Sequence, residues 1–306
     1  MRHGVVLFTS DRGIVPARAA QVAEAAGFDS FYVPEHTHIP VRREAAHPRT
    51  GTAELPDDRY LRTLDPWVAL STAAAVTSVI RLGTAVALPA EHDPIALAKT
   101  IATLDYLSAG RVTLGVGFGW NTDELADHGV AAASRRIVLG EYLEAMQALW
   151  TQEEASYAGE FVRFSRSWAW PNPVQRPRPP TLLGALGSEK NFSWIARSAD
   201  GWLSTPGEID IEPKIASLDR AWQQAGRPGA PQVGVLAGRP DQGTLARWRD
   251  AGVSEVLHGM PDRAEEEVVA YLRNLGAKLG LPVGRGMPGG ADRKTNRGIN
   301  TGQISC

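Results

Sequence analysis

A histidine placed directly after a short apolar run is the first candidate for chemistry in this sequence. The run 31–33 predicts a β-strand, and Glu35 and His36 follow it. An imidazole gains and loses a proton near neutral pH, so His36 could exchange a proton with a substrate or bond a cofactor ring, with Glu35 fixing its tautomer. The alternative is a histidine that caps the strand or orders the next loop. We predict that His36 is catalytic.

His38 extends the candidate site toward the loop that follows His36. Two histidines at this spacing resemble a metal-binding pair on a strand. No carboxylate or third histidine at a suitable spacing completes such a site, so we predict no metal. We predict instead that His38 contacts substrate.

Alternating glycines at the end of a second apolar strand form the next candidate. The strand spans 112–116, and the glycines are Gly115, Gly117 and Gly119. Glycine at the carboxyl end of a parallel strand lets the backbone approach a flat ligand closely, although the spacing is not that of a dinucleotide fingerprint. Trp120 and Asn121 come next, and we predict that they contact substrate. Core packing is the alternative for Trp120.

A third candidate lies where the strand 181–183 leads into a helix through Gly184-Ala185-Leu186-Gly187-Ser188. Backbone N–H groups at a helix N-terminus bind phosphate, and glycine lets the phosphate approach. We predict that Gly187 and Ser188 bind the phosphate of a cofactor. The alternative is an ordinary helix cap provided by Ser188.

The elements that must position these residues alternate between strands and helices. About eight strand–helix units predict one (β/α)8 TIM barrel rather than an open, doubly wound sheet. The predicted strands are 5–8, 31–33, 80–88, 112–116, 181–183, 201–204, 233–237 and 253–257. The predicted helices are 16–26, 66–77, 94–107, a helix ending with 141–150, 192–198, 211–225, 245–251 and 264–279.

Two insertions and a polar tail interrupt this alternation. Residues 37–64 follow the second strand and should cover the C-terminal mouth, where barrel enzymes build their sites. Residues 155–180 contain a predicted hairpin around Gly159. We predict a single domain over residues 1–281 and a disordered tail over 282–306, which has almost no apolar residues.

Composition narrows the class of protein. The chain has 306 residues and a formal net charge of -2, which does not favour a nucleic-acid or membrane-surface partner. Its one cysteine is Cys306, so no disulfide within the chain is expected. We see neither a signal peptide nor an apolar run long enough for a membrane, and we expect a cytoplasmic protein.

Several segments, taken in order, resemble the luciferase-like monooxygenase superfamily, and among its branches the F420-dependent oxidoreductases of actinobacterial type. The resemblance covers about residues 4–280. The segments are Val33-Pro34-Glu35-His36-Thr37-His38-Ile39-Pro40, Arg62-Thr63-Leu64-Asp65-Pro66, Leu82-Gly83-Thr84-Ala85-Val86, the stretch 104–121, Pro171-Asn172-Pro173-Val174-Gln175-Arg176-Pro177 and Ala199-Asp200-Gly201-Trp202.

The resemblance implies a flavin or deazaflavin lying across the C-terminal mouth of the barrel. It implies a non-prolyl cis peptide, by position Ala85–Val86, behind the middle of the ring. Glu35 stands where the family usually has aspartate, and Trp120 stands where sugar-phosphate dehydrogenases have an acidic residue. The predicted cofactor-binding residues are Glu35, His36, Ala85, Val86, Gly115, Gly117, Gly187 and Ser188.

The leading expectation is an F420-dependent oxidoreductase that transfers a hydride between deazaflavin C5 and a small organic substrate. One alternative is an FMN-dependent monooxygenase that uses O2 and reduced flavin supplied by a partner reductase. The other is a non-catalytic flavin-binding protein. The basic pairs Arg42-Arg43 and Arg135-Arg136 could meet the polyglutamate tail of F420, and the alternative for each arginine is a solvated surface position. The resemblance is compatible with a homodimer but leaves the oligomeric state open.

Overall fold

Eight parallel strands close into a barrel in the computed structural model, which describes residues 1–237, 240–282 and 284. The strands, in chain order, are β1 (Arg2–Leu7), β2 (Ser30–Val33), β3 (Arg81–Thr84), β4 (Val112–Val116), β5 (Ala155–Ala158), β6 (Arg163–Ser167), β7 (Thr181–Gly184), β8 (Gly201–Leu203), β9 (Gln232–Ala237) and β10 (Glu255–Met260). Around the barrel the order is β1-β10-β9-β8-β7-β4-β3-β2. The strands β5 and β6 form a separate antiparallel hairpin, as predicted.

A helix follows each barrel strand, which confirms the predicted (β/α)8 TIM barrel. The helices are α1 (Pro16–Ala25), α2 (Pro66–Val76), α3 (Pro94–Leu107), α4 (Thr122–Asp127), α5 (Arg135–Thr151), α6 (Glu189–Ser198), α7 (Ile211–Gln224), α8 (Gln242–Asp250) and α9 (Glu265–Leu279).

Proline at the first helical position marks the start of α1, α2 and α3. Proline suits this position because its missing N–H would have no partner inside the helix. Asp65 and Asp93 cap α2 and α3, each accepting a hydrogen bond of 2.8 Å from the backbone N–H three residues on. These local signals explain why the predicted starts of the three helices are correct.

Some predicted boundaries differ from the structure. The strand predicted over 80–88 ends at Thr84, and the chain then turns through a short 3-10 helix, Pro89–Glu91. The strand predicted over 253–257 begins and ends later, as β10. An apolar run does not specify where inter-strand pairing starts and stops. The predicted range for β3 is therefore too long, and the predicted range for β10 lies too early in the chain.

The barrel interior is polar at one end and apolar toward the other. Near the N-terminal ends of the strands, Glu255 accepts hydrogen bonds from the hydroxyls of Ser30 and Tyr32 at 2.5 and 3.2 Å. Further along, the side chains of Tyr32, Leu182, Leu203 and Leu257 pack together. A second, larger apolar layer lies between the barrel and the helices. The barrel is therefore a packed core that supports its C-terminal mouth.

The predicted disordered tail, residues 282–306, lies outside the described residues except for Pro282 and Gly284. The single-domain assignment over residues 1–281 remains a prediction. None of the helices that the structure describes has the length and apolar character needed to cross a lipid bilayer.

Candidate functional site

Four half-buried apolar side chains form the floor of the C-terminal mouth. They pack on the interior cluster and come from β1, the segment after β3, and β9: Val6, Ala85, Val86 and Leu236. The peptide bond Ala85–Val86 is cis, as the family resemblance implied. An apolar floor of this kind suits the face of a planar ring system.

The glycines around this floor make room for Val86. A Cβ atom on Gly117 would lie 2.6 Å from Cγ2 of Val86, and one on Gly184 would lie 2.3 Å from Cγ1. A Cβ on Gly115 would lie 2.0 Å from the carbonyl oxygen of Thr84. The glycine series thus lets the end of β3 pack closely against β4 and β7. Contact between Gly115 or Gly117 and a cofactor remains a prediction.

His36 lies at the rim of this floor and is held by a buried carboxylate. Its Nδ1 lies 2.8 Å from Oε2 of Glu124, which belongs to α4. The side chain of His36 is 7% exposed and that of Glu124 is fully buried. The backbone N–H of Thr37 donates to the other carboxylate oxygen at 2.8 Å.

The charge state of Glu124 decides which nitrogen of His36 is available. Burial raises the pKa of Glu124, but the hydrogen bond and charge of His36, together with backbone N–H donors, outweigh burial and leave that pKa below its usual value. An ionised carboxylate only accepts hydrogen bonds, so His36 donates from Nδ1. Nε2 forms no hydrogen bond with any residue that the structure describes, and it is free to act on a ligand.

The prediction that Glu35 fixes the tautomer of His36 is wrong. Glu35 accepts a hydrogen bond of 2.6 Å from the N–H of Leu88, and its other oxygen lies 2.8 Å from Nε2 of His92. Successive side chains of extended backbone point to opposite sides, so Glu35 turns toward the segment after β3 while His36 turns toward α4. A direct contact of Glu35 with a cofactor remains a prediction.

Aromatic rings from the 37–64 insertion complete the wall beside His36. The ring centroid of Tyr60 lies 5.5 Å from that of His36, and Trp120 lies 5.6 Å away. His47 packs edge-on against Trp120 at 4.8 Å, and its Nε2 lies 2.9 Å from the hydroxyl of Tyr60. Sequence reasoning missed His47 and Tyr60, although the length and position of the insertion indicated that some of it covers the mouth.

The three predicted substrate residues occupy different positions. Trp120 lies beside His36, as described above. His38 lies further out: its side chain is 41% exposed and its Nε2 lies 2.9 Å from Asp127. Asn121 is buried and donates to Glu124 at 3.2 Å, so it lies behind His36 rather than in the open mouth. Contact of any of them with substrate remains a prediction.

The start of α6 carries both a helix cap and nearby cations. The hydroxyl of Ser188 accepts from the N–H of Asn191 at 3.3 Å, which is the capping role. The N–H of Gly187 donates to Glu208 at 3.4 Å, and Glu208 is paired with Lys214. The structure thus shows the cap, and phosphate binding at Gly187 and Ser188 remains a prediction.

An arginine reaches the same helix start from α5. Nη1 of Arg136 donates to the side-chain oxygen of Asn191 at 2.9 Å, and its guanidinium lies 4.0 Å from the ring centroid of Phe118. Burial and the charges of Arg135 and Arg197 lower the pKa of Arg136. A cation that is partly desolvated and crowded by like charges gains from a nearby anion. Asp200, at the other end of α6, pairs with Arg178 and Arg227.

Comparison with known proteins places these features in one family. The sequence model of the family described as luciferase-like monooxygenase matches residues 16–240. An uncharacterised protein of Mycobacterium tuberculosis is 66% identical over 283 residues, covering 92% of this chain and all of that protein.

Relatives with named activities differ in cofactor. An F420-dependent hydroxymycolic acid dehydrogenase of Mycobacterium tuberculosis is 28% identical over 231 residues, covering 73% of this chain and 58% of that protein. An FMNH2-dependent dimethylsulfone monooxygenase of Pseudomonas putida is 30% identical over 207 residues, covering 65% and 54%.

Two solved structures share the fold. A monooxygenase from Streptomyces bottropensis superimposes with a TM-score of 0.71 at 20% identity, covering 91% of this chain and 98% of that one. An F420-dependent secondary alcohol dehydrogenase, solved with an F420–acetone adduct, gives 0.70 at 16% identity, covering 92% and 99%.

Proposed function

This chain belongs to the luciferase-like monooxygenase family, and from that membership we propose that it is an F420-dependent oxidoreductase. Relatives with named activities are oxidoreductases, a dehydrogenase and a monooxygenase. The proposed reaction transfers a hydride between the deazaflavin and a small organic substrate whose oxygen gains or loses the accompanying proton.

The observation that carries this proposal is the buried pair of His36 and Glu124 at the rim of the apolar floor. Interconversion of an alcohol and a carbonyl compound needs a proton acceptor or donor beside the reacting oxygen. His36 presents Nε2 at the mouth, while Glu124 holds Nδ1 at 2.8 Å. The carboxylate fixes the orientation and tautomer of the ring, in the manner of an acid–histidine pair in hydrolases.

The floor residues fit the ring of the cofactor. Bound F420 supplies the hydride donor or acceptor, and the apolar side chains of Val86 and Leu236 would contact the ring face. The mouth has room at β10, where a Cβ atom on Gly259 would meet none of the described residues within 4 Å. Trp120 and Tyr60 would exclude water from the substrate side.

The start of α6 fits the anionic part of the cofactor. F420 carries a phosphate and a polyglutamate tail, and Arg136 and Lys214 provide positive charge near the N–H groups of the helix. Glu208 neutralises part of that charge, since it pairs with Lys214. A bound phosphate would therefore compete with Glu208 for Lys214 and for the N–H of Gly187.

Equilibrium binding of the purified protein to F420 and to FMN, measured side by side by fluorescence, tests the proposal. We expect micromolar binding of F420 and much weaker binding of FMN. The reverse selectivity would replace the proposal with the FMN-dependent monooxygenase, which would use the same mouth and need reduced flavin from a partner. Binding without turnover of any alcohol or carbonyl substrate would favour a non-catalytic flavin-binding protein.

A further inference from the structure

Three buried carboxyl groups lie next to the proposed catalytic histidine. Glu35, Glu91 and Glu124 are 3%, 5% and 0% exposed. Burying a carboxylate costs several kcal/mol unless a cation or several hydrogen-bond donors compensate. The partners of each group therefore decide which of the three can be ionised.

Within the described residues, two of the three carboxyls have an imidazole partner. Glu35 lies 2.8 Å from His92, and Glu124 lies 2.8 Å from His36. Burial lowers the pKa of His92, but its hydrogen bond to Glu35 and the charge of that carboxylate raise it above its usual value. Each of these two carboxyls thus has an imidazole within hydrogen-bond distance.

Glu91 has no such partner. Its Oε2 lies 3.3 Å from the hydroxyl of Thr37, its Oε1 is buried, and within the part of the chain that the structure describes Oε1 has no hydrogen bond and Glu91 forms no ion pair. The charged side chains that face it are Glu124 and Glu35, both acidic. A third negative charge here would have no cation to compensate it. A neutral carboxylic acid needs no such cation.

Thr37 links Glu91 to the catalytic pair. Its hydroxyl lies 3.4 Å from Oε1 of Glu124 and 3.3 Å from Glu91, and its backbone N–H also donates to Glu124. The same hydroxyl contacts the exposed His128 at 2.8 Å and His38 at 3.0 Å. A negative charge on Glu91 would therefore be felt by Glu124, the carboxylate that holds His36.

We propose that Glu91 is a positioning residue that stays protonated during catalysis, and that loss of this proton displaces Glu124 from His36 and ends activity at alkaline pH. The catalytic part of this inference rests on the proposed function. Burial, followed by the charges of Glu124 and Glu35, raises the pKa of Glu91 to about 9. This direction agrees with the lack of a cationic partner for Glu91 among the described residues. No covalent or redox step is involved.

The first test needs no cofactor. The ring nitrogens of His36 in ¹⁵N-histidine-labelled, cofactor-free protein are followed from pH 7 to 10.5, with His36→Gln providing the assignment. We expect a titration step near pH 9 in the native chain and its loss in Glu91→Gln. Asp127→Asn, which removes an exposed carboxylate of α4, is the control and should keep the step.

A native chain without the step, or a Glu91→Gln variant that retains it, would overturn the proposal. Because this measurement is made without F420, its outcome is independent of whether F420 is the cofactor. A failure of F420 binding would overturn the proposed function and leave the titration result standing.

The second test measures kcat against pH at saturating F420 and substrate. In the native enzyme kcat should fall about tenfold between pH 7 and pH 10, as expected for one group with a pKa near 9. In Glu91→Gln the kcat at pH 10 should stay within about twofold of the kcat at pH 7, even if the substitution changes kcat at pH 7 itself. If kcat of the variant still fell about tenfold between pH 7 and pH 10, the role of Glu91 would be contradicted.

Discussion

His36 and Glu124 lie 88 residues apart in the chain, and their side chains meet at 2.8 Å. The histidine follows β2 and the carboxylate lies in α4, so the pair connects two strand–helix units of the barrel across its mouth. Asn121 donates to the same carboxylate at 3.2 Å. The proposed proton-transfer group is thus held by two separate parts of the fold.

Removal of the imidazole should abolish most of the activity. His36→Ala is expected to lower kcat by about 10²–10⁴-fold, the usual contribution of a positioned acid or base. His38→Ala is the matched control and should lose much less, because His38 is more exposed and bonded to Asp127. Both variants should give native circular dichroism. Equal, mild losses would leave His36 without a catalytic role.

Replacing a carboxylate by an amide should distinguish the role of Glu124 from that of Glu35. Glu124→Gln is expected to lower kcat by about tenfold or more, because the ring of His36 loses its fixed tautomer and its counter-charge. Glu35→Gln should affect kcat much less and mainly lower the melting temperature, since Glu35 holds Leu88 and His92. Turnover at saturating cofactor and thermal melts of both variants check this. The reverse order would contradict the assignment.

The close packing of Val86 predicts a coupled pair of substitutions. Gly184→Ala should destabilise the protein by about 1–3 kcal/mol, because the added Cβ would lie 2.3 Å from Cγ1 of Val86. Adding Val86→Ala should recover part of that loss. Gly140→Ala in α5 is the control: its Cβ meets nothing within 4 Å, and a gain of about 0.5–1 kcal/mol is expected. Denaturant unfolding measures these three variants and Val86→Ala alone, and simple additivity of the two single changes would contradict the proposed contact.

The raised pKa of Glu91 predicts a pH-dependent difference in stability. The folded chain keeps the proton of Glu91 up to about pH 9, whereas the unfolded chain releases it near pH 4.5. Between these values the folded state binds more protons, so this group makes the protein less stable as pH rises. Glu91→Gln should therefore raise the melting temperature by about 3 °C or more at pH 8, and less at pH 5. Parallel shifts at both pH values would contradict a raised pKa.

The cations at the start of α6 predict unequal roles for two adjacent arginines. Arg136→Gln should weaken F420 binding about tenfold, because its guanidinium bonds Asn191 at the helix start. Arg135→Gln should have little effect, since among the described residues Arg135 donates a hydrogen bond to the carbonyl oxygen of Ala132 alone. Titrations at low and high salt measure both affinities. Equal Kd values for the two variants would indicate that the anion binds elsewhere.

The fold was predictable because its signals are local. Proline and aspartate at the starts of α2 and α3 mark helix boundaries within a few residues, and apolar runs mark the strands. The cis bond at Ala85–Val86 could be placed only through the family resemblance. Local patterns carry no information about pairings between distant elements.

The candidate site was predictable in position but not in its contacts. The rule that barrel enzymes act at the strand C-termini placed His36 and Trp120 at the mouth. The choice of Glu35 as partner of His36 relied on adjacency in sequence, whereas Glu124 arrives from α4. The ring contacts of His47 and Tyr60 depend on how an irregular loop folds, which no periodic pattern specifies.

Regular secondary structure forms one side of the mouth, and an irregular loop forms the other. Barrel strands and helices hold His36 and the floor, while the surface insertion 37–64 supplies His47 and Tyr60 through ring contacts. Residues of that loop can change with little cost to the barrel core, since loops tolerate substitution better than packed strands. Substitutions in the insertion would therefore alter which molecules reach His36 while the barrel continues to hold the proposed proton-transfer group in place.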